Sequence, residues 1–343
     1  SYTDALTGKT KVPQIVMDDI ALEYCRMKPG IFVALVFPSA GNSKKAIKIL
    51  KETSEVVYQS SRFLRPKAAI TLIKQIYGEH VWFKQFQGEI GIQDKAKKCF
   101  PTSGVVTMLL LDSASPKEIL LSKQKIRDVY GIGNDSIHIT DGNFEALQVA
   151  RIMLNENSLK LLDCNLQFNK RFLEMVSNFK VWVAQSNENI EDFCIGGSAL
   201  LDPIGVRINN DLDVRYAGKT NIKDFDCPKS FGFHNDIIGF YPYSASDIAG
   251  DPRLHCWLFG VKFCNIDVVM EMKKNRGEQK DKKDVKLLKV ILDQRLTVVS
   301  KLIRFYFFFI YYSYFLRLYH KATSSPRSVL SSLKRVLFRI LIK

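Results

Sequence analysis

The chain has 343 residues, 46% hydrophobic and 25% charged, with 50 Lys+Arg against 35 Asp+Glu for a net charge of +15. That balance excludes a disordered, collagen-like or disulfide-scaffold protein, and the length suits two globular domains rather than one. The charge is unevenly spread: Arg295–Lys343 holds ten Lys/Arg and no Asp or Glu, so the first 294 residues carry 40 basic and 35 acidic groups, a net of only +5. The seven Cys are scattered with no C-x-x-C pair, which argues against zinc or a disulfide framework and suits reduced thiols in a cytoplasm. The N-terminus, Ser1-Tyr2-Thr3-Asp4, has no signal-peptide pattern and lacks Met, as expected of a trimmed start.

In chain order, residues 1–28 show no strong periodicity. Ile31–Phe37 is a buried-strand run closed by Pro38, and Ala46, Ile47, Ile49 and Leu50 form a helical stripe. A strand is predicted near Glu55–Gln59, then a helix from Pro66 through Ile70, Ile73 and Ile76. Val105–Leu111 reads as another buried strand, Lys117–Val129 as a basic helix, and Ser136–Thr140 as a short strand. Asp141 is the expected N-cap of a helix carrying Ala146, Leu147, Ala150, Ile152 and Met153. The order β-α-β-α-β-α-β-α predicts an α/β layer domain over 28–156. A second domain is expected over 157–295: helices to about residue 190, a strand at Phe193-Cys194-Ile195, and a helix-like Ala199–Ile204. Asp211–Tyr216 then reads as a strand, Leu254–Phe259 and Lys262–Val269 as a hairpin about Gly260, and Lys280–Arg295 as an amphipathic helix.

The most specific pattern is Gly196-Gly197-Ser198, twelve residues, then Asp211-Leu212-Asp213. Carboxylates at i and i+2 on a strand share a face, and such a pair can hold a divalent cation through hard oxygens. A Gly-Gly-Ser turn opening a helix offers backbone N–H groups and a hydroxyl to phosphate oxygens. Together they predict phosphoryl- or nucleotidyl-transfer chemistry.

The arrangement resembles the DNA polymerase β-like nucleotidyltransferase superfamily, whose signature is a Gly-Ser turn followed by D-x-D. The resemblance covers about 190–290. It implies that Asp211 and Asp213 bind Mg²⁺ (or Mn²⁺), that Gly196, Gly197 and Ser198 bind phosphate, and that Asp267, expected on a neighbouring strand, completes the metal site. Arg276 and Lys280-Asp281-Lys282-Lys283-Asp284 resemble the K-D-x-x-D ending of small members. The interval from Asp213 to Asp267 is 54 residues, longer than in minimal members. The insert carries Phe231-Gly232-Phe233-His234-Asn235-Asp236 and Tyr241-Pro242-Tyr243, which could shape an acceptor pocket. Arg207 is a phosphate contact or a surface charge, Lys262 a candidate triphosphate contact, and His234 and His255 are expected to be structural or at the surface.

In the first domain, Ile126-Arg127-Asp128, then Gly131-Ile132-Gly133 through Ser136-Ile137-His138-Ile139-Thr140-Asp141 and Glu145-Ala146, resembles nucleoside diphosphate kinases, which have a ferredoxin-like fold. The resemblance implies a phospho-accepting His138 and an Arg127 on nucleotide phosphates. The family's Lys-Pro-Asp after the first strand is here Phe37-Pro38-Ser39, so the phosphate-contacting Lys is missing, and a divergent binding or docking domain is the expectation.

The tail, 296–343, has an aromatic block at Phe305–Tyr312 and an amphipathic end at Val329–Lys343. Its longest uncharged stretch, Phe305–Leu316, has twelve residues, short of the ~20 that span a bilayer. Clustered aromatics with flanking cations favour an anionic membrane surface over a protein interface or nucleic acid. The sequence thus predicts an α/β (α+β) enzyme with a ferredoxin-like, nucleoside diphosphate kinase-like domain, a nucleotidyltransferase-fold domain and a basic amphipathic tail. The expected reaction is Mg²⁺-dependent transfer of a nucleotidyl or phosphate-containing group, from a nucleotide-activated donor to a lipid-linked glycan or envelope precursor. Gly196–Leu201 (G-G-S-x-L-L) and Gly205–Arg207 (G-x-R) loosely resemble fukutin and phosphocholine-transferase types, which act in glycan and polysaccharide biosynthesis. The expected location is cytoplasmic, peripheral to the inner face of the membrane. The alternatives are transfer to RNA or protein, or an inactive membrane-bound scaffold.

Overall fold

The computed structural model describes residues 13–77, 88–113, 115–164, 166–221, 228, 230–234 and 239–292. The tail 296–343, with its expected membrane-surface helix, lies outside the described residues, as do Asn235 and Asp236. The protein is a mixed helix-and-sheet structure with two sheets.

The first sheet contains β1 (Ile31–Val36), β2 (Glu55–Leu64), β3 (Gly104–Asp112) and β4 (Ile137–Ile139) in the order β2-β3-β1-β4, every neighbour antiparallel. Among the described residues the helices that accompany it are α1 (Gln14–Met27), α2 (Lys44–Leu50), α3 (Pro66–Tyr77), α4 (Gly88–Cys99), α5 (Pro116–Tyr130) and α6 (Asn143–Leu154). β1 is apolar at every position because both its faces are covered. Ile31, Val33 and Leu35 pack with residues of α1, α3, α4 and α6, while Phe32, Ala34 and Val36 pack with residues of α2 and α5. A continuous apolar run, more usual in parallel sheets, therefore arises here in an antiparallel one.

Local chemistry sets the helix ends. Ser115 caps α5 by accepting from Glu118 N, Pro116 stands at the first helical position, and Gly131 ends the helix at φ +67°. Asp141 is not the cap of α6. Gly142 holds that position, and the Asp141 N–H instead donates to Glu145 Oε2 at 2.7 Å. No periodicity announces α1, whose buried residues are Asp18, Ala21 and Cys25, one of them an acid. Tyr58 Oη donates to Asp18 Oδ1 at 2.6 Å and Arg62 pairs with the same carboxylate, which is how an acid is accommodated there.

After α7 (Glu156–Leu162) and α8 (Lys170–Gln185) the second sheet begins. Its strands are β5 (Phe193–Ile195), β6 (Leu212–Tyr216), β7 (Phe231–Phe233), β8 (His255–Leu258) and β9 (Val261–Cys264), ordered β7-β6-β5-β9-β8. β5 runs antiparallel to β6 and parallel to β9, β6 parallel to β7, and β8 and β9 form a hairpin through Phe259 and Gly260. α8 lies over one face: Phe172 stacks on Phe263 at 6.0 Å, Phe179 meets Phe193 edge-on at 5.7 Å, and Trp182 meets Phe231 at 5.2 Å. By period-two alternation Cys194, Asp213, Arg215, Lys262 and Cys264 fall on the other face. The short helices α9 (Leu201–Ile204) and α10 (Ala245–Gly250) precede α11 (Ile266–Arg276), and residues 279–292 are helical.

The sequence suggested a division at about residue 156. Chain contacts group both sheets in one compact unit, Ser1–Asp284, with Val285–Lys343 as the second. Asparagines stitch the two sheets together inside the first unit. Asn155, buried, accepts from Ser158 N as the cap of α7 and donates to Pro252 O at 2.9 Å, and Asn157 Nδ2 donates to Arg253 O at 2.9 Å. Ser158 Oγ in turn accepts from Trp257 N at 2.8 Å. Among the described residues no helix is long and apolar enough to cross a membrane. Asn155→Ala should remove a cap and leave the buried Ser158 N–H unpaired, while Pro252 O keeps Asn157, costing about 1–3 kcal/mol in denaturant unfolding. Asn155→Asp should cost less, because the cap acceptor survives.

Candidate functional site

The site grows from the turn after β5. Gly197 has φ +58°, and a Cβ on it would overlap the carboxylate of Asp213. Gly196 N donates to Asp213 O at 2.7 Å, so the turn and the D-x-D strand form one packed unit. The helix after the turn is a single short turn, α9, rather than the longer dipole expected of Ala199–Ile204. Side chains take over that role. Arg207 Nη2 donates to Ser198 Oγ, and Lys273 Nζ lies 3.3 Å from the same oxygen. Arg207, expected to be either a phosphate contact or a surface charge, is therefore at the site.

Buried carboxylates hold these cations. Lys273, with its side chain fully buried, lies 3.1 Å from Asp281 Oδ1 and 2.9 Å from Asp284 Oδ2. Arg276 donates two bonds of 2.7 Å to Asp281, from Nε to Oδ2 and from Nη2 to Oδ1. Arg207 Nε stands 3.2 Å from Asp284 Oδ2. Burial alone would raise the pKa of Asp281, but the bonds from Arg276 and Lys273 outweigh it and hold the group at about 2. The K-D-x-x-D segment is thus the anchor for the cations around Ser198.

His234, expected to be structural or at the surface, places Nε2 3.3 Å from Asp213 Oδ1. β7 pairs Gly232 with Asp213, and the missing side chain at Gly232 leaves room for the His234 ring to reach back. Asp211 is exposed just before β6, its carbonyl accepting from Asn209 Nδ2. Asp211 and Asp213 present hard oxygens two residues apart. That suits Mg²⁺, which takes one or two protein carboxylates and completes its shell with water and substrate phosphates. Among the described residues no set of three His, Cys, Asp or Glu side chains gathers to hold a metal.

Asp267 does not supply the third carboxylate from a strand. Asn265 accepts from Val268 N at 2.8 Å and starts α11, so β9 ends at Cys264 and Asp267 is exposed in the first helical turn. It precedes Lys273 by six residues, about 9 Å along the axis. Lys262 also lies elsewhere. Its Nζ donates to Glu191 O at 2.6 Å and Ala249 O at 2.7 Å and pairs with Glu191 Oε2 at 2.9 Å. It lines a separate cavity of about 470 Å³ with Arg151, Trp257 and His255. Burial lowers its pKa to about 8.

In the first sheet, His138 on β4 is buried. Tyr77 Oη is 3.0 Å from Nδ1, and Glu145 Oε1 is 3.1 Å from Nε2, off the hydrogen-bond axis. Burial pushes the His138 pKa down against the pull of Glu145, which favours the neutral ring. Arg127 is half-buried and near enough to lower the Tyr77 pKa against the dominant effect of burial. The structure therefore brings His138, Glu145 and Arg127 to one neighbourhood, but with both imidazole nitrogens covered. Phosphoryl transfer to His138 would require Tyr77 or Glu145 to withdraw.

Lys273 was not named from sequence, and His234 was named only as part of the insert and as a structural or surface residue. His234 had a usable signal, since Phe231-Gly232-Phe233-His234 alternates with period two and sets His234 on the face of Gly232. Compared with models of protein families, with curated proteins and with solved structures, the chain matches none.

Lys273→Met should leave Asp281 and Asp284 short of a buried partner and cost about 3–5 kcal/mol in denaturant unfolding. A pH dependence follows from His255, whose pKa falls from 6.5 to about 4, first through burial and then through the Lys262 charge. Between about pH 6.5 and pH 4 the unfolded chain binds a proton there that the folded chain does not, so stability should fall on acidification through that window. His255→Gln should flatten the slope of unfolding free energy against pH over the same range.

Proposed function

We propose that the chain is a Mg²⁺-dependent transferase of the nucleotidyltransferase fold, moving a nucleotidyl or phosphate-containing group from a nucleotide-activated donor to a membrane-associated glycan or envelope precursor. The observation that carries this reading is the packing of the Gly196–Gly197 turn on Asp213, with Ser198 contacted by both Arg207 and Lys273. Glycines at the turn let a phosphate approach the backbone, and the Ser198 hydroxyl, Arg207 and Lys273 fix its oxygens. Arg276, Asp281 and Asp284 hold those cations in place. Asp213, oriented by His234, and Asp211 would hold the cation, which when bound neutralises charge developing on the phosphate oxygens.

The finer fold assignments belong to the same proposal. A four-stranded antiparallel sheet in the order β2-β3-β1-β4 suits the ferredoxin-like architecture of the nucleoside diphosphate kinase resemblance. His138, enclosed by Tyr77 and Glu145, supports a binding or docking role for that half rather than phosphoryl transfer. The acceptor class rests on sequence: the basic, aromatic tail and the G-G-S-x-L-L and G-x-R elements point to a lipid-linked glycan at the inner face of a membrane. Binding without turnover is the second reading, supported by Asp267 being exposed in the first turn of α11 rather than on a strand beside Asp213.

Incubation of the full chain with Mg²⁺, membranes and labelled nucleotide-activated donors tests the reading. Asp211→Asn with Asp213→Asn should reduce donor consumption by about a hundredfold or more. Equal consumption by wild type and the double variant would overturn it. Label recovered on RNA or protein would redirect the acceptor, and no consumption by either chain would leave the binding reading.

A further inference from the structure

Arg215 is 1% exposed, and Nε, Nη1 and Nη2 of its guanidinium have no hydrogen-bond partner among the described residues. Its described contact is the ring of Tyr241, 3.9 Å from Cζ. A cation over a tyrosine face recovers only part of what desolvating an unpaired guanidinium costs. Asp213 stands two residues back on the same face of β6, yet it makes neither an ion pair nor a hydrogen bond with Arg215. Among the described residues this cation lacks an anion.

The position of Arg215 indicates where that anion belongs. It stands opposite Cys194 in the β5–β6 register, directly beneath the glycine turn, and a Cβ on Gly196 would lie 3.5 Å from its Cδ. The same Cβ would lie 2.6 Å from Tyr241 Oη. Tyr241 therefore does two things at once: its ring covers the guanidinium, and its hydroxyl accepts the Gly197 N–H at 2.7 Å. Both are donors that an oxyanion would use, and one side chain occupies both.

We propose that Arg215 and the Gly197 N–H form a second phosphate receptor at the base of the glycine turn, closed in the free protein by Tyr241 and opened when a donor phosphate displaces that side chain. The inference rests on reading the turn as a phosphate cradle. It adds to the Ser198 cations a buried contact that recognises a second phosphate of a diphosphate-containing donor. The fixed fork of a guanidinium suits phosphate oxygens, and the phenol leaves without any bond being made or broken covalently.

Calorimetry with inorganic pyrophosphate and EDTA, on the full chain, tests the receptor without metal or turnover. Tyr241→Ala should bind pyrophosphate about tenfold more tightly than wild type, having no occupant to displace. Arg215→Met should bind it at least about tenfold more weakly in either background, the loss expected for a charge-assisted pair. Without ligand, Arg215→Met should melt no lower than wild type, because it removes a charge that had no partner. Unchanged affinity in a folded Arg215→Met would overturn the proposal and make Arg215 a structural strut. If that variant does not fold, Tyr241→Ala decides alone: unchanged or weaker binding overturns the proposal. Asp213-dependent donor consumption with pyrophosphate affinity indifferent to Arg215 and Tyr241 would sink this receptor and spare the proposed function. Affinity governed by both residues, with no Mg²⁺-dependent transfer, would do the reverse.

Discussion

The carboxylate of Asp213 occupies the space that a side chain at position 197 would need. That steric exclusion ties the turn after β5 to the strand that returns beside it, since neither can move without the other. It sets the reach of His234 to the carboxylate, the height of Ser198 above the sheet, and the slot that Tyr241 fills. A methyl group at 197 would disturb all of them at once, while also demanding a left-handed backbone that side chains resist.

Around that contact the second sheet separates two kinds of chemistry. Its aromatic face, against α8, supplies the burial that holds β5, β6, β7 and β9 together. Its opposite face carries Asp213, packed on the Gly197 turn, and the buried Arg215, whose guanidinium lies against the Tyr241 ring. The helical segment from residue 279 then brings carboxylates to Lys273, Arg276 and Arg207. Buried charges of this kind stabilise a fold weakly compared with apolar groups of equal size, and are retained where geometry matters more than stability. Here that geometry converges on one hydroxyl, Ser198.

Patterns of one period were legible in the sequence, and patterns depending on a neighbour were not. β1, α3, β3, α5 and β4 follow from apolar runs, a Pro at a helix start and a Gly at a helix end. α1 escaped because its contacts are an acid, an alanine and a cysteine rather than a stripe of large side chains. Asp267 was misplaced because Phe263–Val269 is apolar enough to read as a strand, and only the Asn265 cap turns it into a helix. Asp211 and Asp213 could be found from their spacing and their turn. Lys273 could not, since it lies in a run of basic residues and is distinguished only by the carboxylates that enclose it. Lys262 was drawn to the site by its charge, but its bonds to the main-chain carbonyls of Glu191 and Ala249 place it at the other cavity.

The seam between the two sheets is built from asparagine amides donating to main-chain carbonyls at Pro252, Arg253 and His255. A carbonyl is present whatever residue carries it. At Pro252 and Arg253 the far side of the seam is thus read by the path of its backbone, and those two side chains are free to drift through evolution. Asn155 and Asn157 have no such freedom, because each must present its amide at one place. Variation should therefore be lopsided across this junction, loose at the two positions that accept and tight in the pair that donates, although both sides share the same bonds.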